Sequence, residues 1–190
     1  PEEPGIEQGI LQGMYCYRRS QTPASEGRKA HLFGSGPILL EALRAQELLA
    51  QVGVAADVWS VTSYNELFRE AQEADRWNRL HPSEPPRTPY VARLLAGEEG
   101  VFVAASDFMK SLPNSIALWI PGPYHVLGTD GFGRSDFRSK LREHFEINRH
   151  YIIVAALKAL SEEGTVPVAK VAEAIAKYNI QADKINPLYA

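Results

Sequence analysis

Cysteine is almost absent from this 190-residue chain. Its one thiol, Cys16, excludes an intramolecular disulfide framework and any cysteine-rich zinc site. Long apolar runs are missing too. The longest, Tyr151 to Leu157, falls far short of the ~20 residues that span a bilayer. No charge sign dominates: 20 Lys and Arg against 23 Asp and Glu leave a formal net charge of −3, whereas a dedicated nucleic-acid binder is normally basic. No basic-then-apolar leader opens the chain, so no secretion signal is expected. What remains, 45% apolar and 23% charged residues, is ordinary for a globular protein. A chain of this size buries about 70% of its unfolded surface, which predicts one core. The opening Pro1-Glu-Glu-Pro4 lacks an initiator methionine and reads as a linker. The chain is therefore expected to be a piece of a longer polypeptide.

Helical and extended patterns alternate. Residues 5–12 read as a short helix, 14–18 as a strand, 20–27 as a polar loop with Pro23 and Gly27, and 29–34 as a strand. A helix of about 15 residues should follow Pro37, because a proline's missing N–H is no loss at the first helical position. Gly53 should stop it. Residues 54–61 form the next strand. Ser63-Tyr-Asn-Glu66 has the form of a capping box, followed by Tyr64, Leu67, Phe68, Ala71 and Ala74 at helical spacing. Four prolines make 81–89 a loop. Then come a short helix at 90–96, a strand at 101–105, an ambiguous stretch at 112–122 and a strand at 124–127. Helices at 136–145, 147–161 and 167–178 close the chain, the last with Val168, Val171, Ala172, Ile175 and Tyr178 on one face. This alternation predicts a mostly parallel sheet covered on both faces.

The chemistry-bearing patterns are sparse. Gly34-Ser-Gly36 lies where a dinucleotide fingerprint would begin, but Leu39 stands where the third glycine belongs, and no ribose-binding acid ends the next strand. A tight strand-to-helix turn is the plainer reading. Gly128, Thr129, Asp130, Gly131, Phe132, Gly133, Arg134 and Ser135 form a glycine-rich segment without the lysine and spacing of a P-loop. Two compatible readings apply to it. One is a sharply turning loop anchored by a buried Phe132, with Ser135 or Asp136 capping the next helix. The other is a backbone that fits closely against a neighbouring domain or subunit, with Asp130 and Arg134 in polar contact across the boundary. At least one of Gly131 and Gly133 is expected to hold a backbone angle that a side chain would strain.

The histidines show no metal-binding spacing. His31 reads as a satisfied core residue, and His144 and His150 as solvated or capping. Trp77, Asn78 and His81, crowded before the proline-rich loop, read either as a packed helix end or as a contact site. Cys16 reads as a buried, inert thiol, since nothing nearby supplies a base. No Gly-x-Ser-x-Gly elbow exists.

Five strings nevertheless run in order along nearly the whole chain. They are Ser60-Val-Thr-Ser-Tyr-Asn-Glu-Leu67, Arg76-Trp-Asn-Arg-Leu-His-Pro82, Ser106-Asp-Phe-Met-Lys110, Leu127-Gly-Thr-Asp-Gly-Phe-Gly-Arg-Ser-Asp136 and Asn179-Ile-Gln-Ala-Asp-Lys-Ile-Asn-Pro187. Together they resemble the C-terminal domain of the homodimeric bacterial pyruvate dehydrogenase E1 component. The resemblance implies an α/β fold of the transketolase C-terminal type: a three-layer α/β/α sandwich with a five-stranded, mostly parallel sheet. It implies a lead-in helix, strand and loop over 1–28 and the α/β domain proper over 29–190. It implies a cytoplasmic homodimeric enzyme that decarboxylates pyruvate on thiamine diphosphate and Mg²⁺ and acetylates the lipoyl group of the E2 dihydrolipoyl acetyltransferase. The cofactor and the main catalytic groups are expected in upstream domains, with none in this stretch. Gly128–Ser135, Trp77, Asn78 and His81 are then candidates for contact with those domains, the second subunit or E2. No nucleic acid or membrane partner is expected. Two further readings stay open: a regulatory module binding E2 or a small effector near Gly34–Gly36, and a transketolase sharing the Gly-Phe-Gly-Arg-Ser string.

Overall fold

Five strands, β1 (Met14–Arg18), β2 (Lys29–Gly34), β3 (Ala55–Val61), β4 (Val101–Ala105) and β5 (Tyr124–Leu127), form one sheet in the order β1-β3-β2-β4-β5. They are seen in a computed structural model that describes residues 6–24 and 27–190. Neighbours pair in parallel except β1, which runs antiparallel to β3 with Met14 opposite Val61. The strands follow the predicted segments closely. Of the predicted 20–27 loop, residues 25 and 26 lie outside the described residues, as does Gly5 of the predicted first helix.

The central strands are apolar on both sides, and alternation sends successive residues to opposite layers. Ala30 and Leu32, Ala56 and Val58, and Val101, Val103 and Ala105 face one core. Phe33, Trp59, Val61, Phe102 and Ala104 face the other. Helices α2 (Leu39–Ala50), α7 (Arg149–Glu162) and α8 (Val168–Lys177) supply the first layer. Helices α3 (Tyr64–Leu80) and α4 (Tyr90–Leu94), with the short α5 (Ser111–Asn114), supply the second. Burying each large side chain of this kind contributes about 1.5–3 kcal/mol, so neither layer is dispensable. Helix α1 (Ile6–Gln12) precedes β1, and α6 (Arg138–His144) precedes α7. The result is the expected three-layer α/β/α sandwich.

Local signals explain most boundaries. Ser63 caps α3 by accepting the Glu66 amide at 3.1 Å, the first half of a capping box; the Ser63 amide goes instead to the Gly13 carbonyl at 3.1 Å, and Glu66 lies 3.7 Å from Arg69. Pro37 opens a 3-10 turn at Gly36–Ile38 that leads into α2. The ambiguous 112–122 stretch is neither one helix nor a strand: α5 ends at Asn114, a 3-10 turn spans Ala117–Trp119, and Pro121 and Pro123 lack N–H donors, although the Pro123 carbonyl already accepts the Phe102 amide at 2.8 Å. Helix α8 differs from expectation in its buried face. Val171 and Ala174 point inward, Ile175 and Tyr178 pack beside them, and Val168 is 73% exposed. An edge helix lying on α7 alone needs only a narrow stripe, and two apolar stripes of α8 competed for that place.

Candidate functional site at the carboxyl edge of the sheet

In sheets of this topology, ligands enter a crevice at the carboxyl ends of the strands, where the chain order reverses. Here the reversal falls between β2 and β4. That crevice is closed by the protein itself. Ser35 Oγ donates to Ser106 Oγ at 3.0 Å, both residues are buried, and Ser106 Oγ accepts the Phe108 amide at 3.1 Å. A Cβ on Gly34 would come 2.7 Å from Leu39 Cα, so the start of α2 sits directly on the strand end. Gly34 thus serves a tight strand-to-helix turn, while Gly36, with φ +52° and open space around it, turns the chain outward at the surface.

The glycine-rich loop lies on this same edge, braced by backbone and short polar side chains. Thr129 donates its amide to the Phe108 carbonyl (2.9 Å) and its hydroxyl to the Asp107 carbonyl (2.8 Å). Asp130 Oδ1 accepts the Lys110 amide at 3.0 Å, and Oδ2 lies 3.6 Å from Lys110 Nζ. Gly128 is buried beneath these contacts. Gly131 has φ +99°, and a Cβ there would fall on the Pro187 carbonyl oxygen, whereas Gly133 faces open space. Three of the five strings, those at 106–110, 127–136 and 179–187, therefore meet at one place.

Phe132 is no buried anchor: it is 78% exposed. The backbone already holds the loop, so its aromatic ring is released outward. Gly131, Gly133, Arg134 and Ser135 are exposed with it. Neither Ser135 nor Asp136 caps α6. Phe137 occupies the N-cap position without a side-chain bond, and Asp136 Oδ1 accepts the adjacent Phe137 amide. Phe108, Met109 and Phe137 are 57%, 60% and 82% exposed, so the segments at this edge hold large apolar side chains in solvent among exposed polar ones.

Trp77, Asn78 and His81 form a separate cluster whose partners lie in the proline-rich loop. Asn78 binds the Arg87 backbone twice, donating to its carbonyl at 2.8 Å and accepting its amide at 2.7 Å. The His81 ring stacks on Trp77 at 4.5 Å, and the Arg87 guanidinium lies 4.1 Å over the same indole. This string fastens the loop to the end of α3.

Two buried charge clusters escaped the sequence reading. Asp57, 1% exposed, accepts Arg19 Nη1 (2.8 Å) and the Ser20 amide (2.7 Å) and lies 2.8 Å from Lys29 Nζ. Burial pushes its pKa up, but these donors outweigh burial and hold it below the ordinary carboxylate value. Beside it, His31 Nδ1 accepts Trp59 Nε1–H at 3.2 Å, so its Nε2 carries the proton and donates to the Glu99 carbonyl at 3.0 Å. Burial lowers the His31 pKa and keeps it the satisfied, neutral core residue expected. His31, Asp57 and Glu98 present donor atoms within 4.8 Å of one another. They do not suit a metal ion, because Arg19 and Lys29 already neutralise the carboxylates and both imidazole nitrogens are engaged.

The second cluster centres on Glu41, on the inward face of α2 with Ala42, Ala45 and Leu49. It accepts Arg142 Nη1 at 3.1 Å, Arg149 Nε at 2.9 Å and the Arg149 amide at 3.0 Å. Burial again raises its pKa and the arginine contacts override it, with a net lowering. The available signal for Asp57 was an acid between the core residues Ala56 and Val58; Glu41, beside an exposed Leu40, carried no such signal. Cys16 is half-buried, and burial pushes its thiol up to about 11, which makes it inert as expected. The capping role goes to Asn148 and not to the histidines. His150 stacks on Tyr178 at 4.4 Å, and His144 Nε2 is buried without a hydrogen-bond partner among the described residues.

These features define a three-layer α/β domain whose usual ligand crevice is filled by its own side chains. The chain belongs to the family described as the transketolase-like TK C-terminal domain, whose profile matches residues 13–148. It is 48% identical over 186 residues to the pyruvate dehydrogenase E1 component of Pseudomonas aeruginosa, covering 97% of this chain and 21% of that protein. With the E1 component of Escherichia coli K12 it shares 46% over 188 residues, covering 98% and 21%. The chain thus spans about a fifth of the length of these curated relatives. Among solved structures, transketolase from Leishmania mexicana superposes with a TM-score of 0.54 at 15% identity, covering 84% of this chain and 20% of that one. A split-gene transketolase, an inactive β4 tetramer, gives 0.52 at 16%, covering 79% and 43%. At such identities the likeness establishes the fold alone. No helix among the described residues is long and apolar enough to cross a membrane.

Proposed function

We propose that this chain is the C-terminal domain of a pyruvate dehydrogenase E1 enzyme. The whole polypeptide, a homodimer, decarboxylates pyruvate and acetylates the lipoyl group of E2. Thiamine diphosphate with Mg²⁺ supplies the decarboxylation chemistry and is held by upstream domains of that polypeptide. This domain contributes architecture: its carboxyl rim is the seat for the rest of the enzyme. The observation that carries the reading is the rim itself, where Phe108, Met109, Phe132 and Phe137 stand exposed above a crevice closed by Ser35 and Ser106. Apolar patches rimmed by polar residues mark protein contact surfaces. The high identity with E1 components, against 15–19% with transketolases, supports E1 over transketolase. The closed crevice argues against an effector site at Gly34–Gly36.

The test uses the full-length enzyme carrying Phe132→Ser and Phe137→Ser. Truncating central apolar anchors weakens an interface by about 2 kcal/mol or more each, or ~30-fold. Limited proteolysis should release the 21.1-kDa domain faster than from the parent, and pyruvate turnover with an artificial electron acceptor should fall. Unchanged release and turnover would remove the rim from its role. Pyruvate turnover by the 190-residue chain alone would overturn the placement of the catalytic groups upstream.

A further inference from the structure

Residues 131–140 are all exposed, and α6 buries none of its side chains. No residue from 131 to 144 belongs to either core layer. One end of this stretch is fixed by the braces on Thr129 and Asp130, and the other by Ile147, 1% exposed. Between them Arg142 donates to Glu41 at 3.1 Å. A further hold comes from the last residues of the chain.

Helices α6 and α8 end alike. Glu146 and Asn179 are the two residues other than glycine with positive φ among the described residues, +61° and +51°. Each closes a Schellman turn. The Glu146 and Ile147 amides return to the Glu143 and Arg142 carbonyls at 3.3 and 3.0 Å, and the Asn179 and Ile180 amides to the Ala176 and Ile175 carbonyls at 3.1 and 3.0 Å. The turn at Asn179 sends the chain off α8 towards the end of α6. There Lys184 Nζ donates to the Glu143 carbonyl at 3.0 Å and the His144 carbonyl at 2.9 Å, and lies 3.3 Å from Glu146 Oε1. A cation on the last carbonyls of a helix also meets the negative end of its dipole. A glutamate at such a φ persists only where its surroundings hold it, and Lys184 holds Glu146 by its carboxylate. Three residues later the Pro187 carbonyl oxygen occupies the space beside Gly131. The end of the chain thus touches both limits of the exposed stretch.

We propose that residues 179–188 are a strap over a flap formed by residues 131–144, and that Lys184 is the positioning residue that sets where Phe132 and Phe137 stand. A segment with so few buried side chains is the kind that opens locally, and opening it leaves both core layers intact. Its fastening by the strap is concentrated in one ammonium group on three oxygens. The effect on pyruvate turnover rests on the E1 reading; the strap itself does not.

Hydrogen exchange on the full-length polypeptide tests this. Lys184→Met keeps the reach of the side chain and removes its donors. The Leu141 and Phe145 amides, bonded to the Phe137 and Leu141 carbonyls, should then exchange about tenfold faster or more. The Thr129 amide and those of β4 should keep their rates, and Lys184→Arg, which retains charge and donors, should restore protection. Unchanged exchange at Leu141 and Phe145, or equal acceleration in β4, would overturn the strap. Turnover reads the second link separately. A fall in Lys184→Met that Lys184→Arg recovers supports control of the rim by the strap. Faster exchange with unchanged turnover leaves the strap standing and removes the rim from its role in E1.

Discussion

Gly131 and Gly133 are two residues apart in one loop, yet the structure separates them completely. Gly131 holds a positive φ and abuts the Pro187 carbonyl, while Gly133 has open space around it. A side chain at 131 must strain the backbone and push away the 186–188 segment, so Gly131→Val should cost about 1–3 kcal/mol. Gly133→Val should stay within about 0.5 kcal/mol. Thermal melting of the two variants side by side checks this, and equal losses would contradict it. The sequence announced that a strained glycine was present in this loop but not which one, because the deciding contact comes from a residue more than fifty positions later. Phe132 illustrates the same limit in reverse. An aromatic in a glycine loop looks like an anchor, and only the bracing by Thr129 and Asp130 shows that no anchor is required. Asp57 and Glu41 escaped the sequence reading because their arginine and lysine partners arrive from distant segments.

Elements were easier to read than contacts. Strands were found because the Val- and Ala-rich runs are short and bounded by glycine and proline. Helix α3 was found because its cap and its apolar spacing agree. Helix α8 was found with its face slightly misplaced: Val171, Ile175 and Tyr178 pack inward as expected, but Ala174 is buried where Val168 and Ala172 were expected. The Trp77–Asn78–His81 string, left between packing and contact, becomes intelligible once the proline-rich loop is seen folding back onto α3. Asn78→Ala removes two hydrogen bonds to Arg87, worth about 0.5–1.5 kcal/mol each, and leaves both core layers intact. Trypsin should therefore cut at Arg79 and Arg87 several times faster in this variant while the melting temperature moves by only a few degrees. Unaltered cleavage would show that ring stacking alone holds the loop.

At the scale of the whole molecule, three buried titrating groups give stability a common direction with pH. Asp57 and Glu41 lie below their ordinary values of 3.8 and 4.5, and His31 lies below 6.5. In each case the unfolded chain takes up a proton more readily than the folded one, so stability is complete above these ordinary values and is lost as pH falls through the shifted ones. Unfolding free energy should be level near pH 7–8, begin to fall below 6.5 as His31 contributes, and fall more steeply below 4.5. Each proton of difference contributes about 1.4 kcal/mol per pH unit. Denaturant melts at stepped pH check the profile, and Glu41→Gln should flatten the steep acid limb while lowering the plateau. A profile that rises on acidification would contradict the assignment of these groups.

The antiparallel edge strand has a consequence of its own. Because β1 runs against β3, Met14 lies opposite Val61, and Gly13 receives the Thr62 and Ser63 amides at the carboxyl end of the sheet. The Pro187 segment reaches that same end through Gly131. A chain entering through α1 is thus delivered to the same end of the sheet as Phe108 and Phe132, which follow β4 and β5, three and four strands along. A neighbour tethered by that route meets the rim at an effective concentration in the millimolar range. If the rim is the proposed seat, contacts too feeble to join free molecules would then suffice, and the rim can remain small and readily solvated.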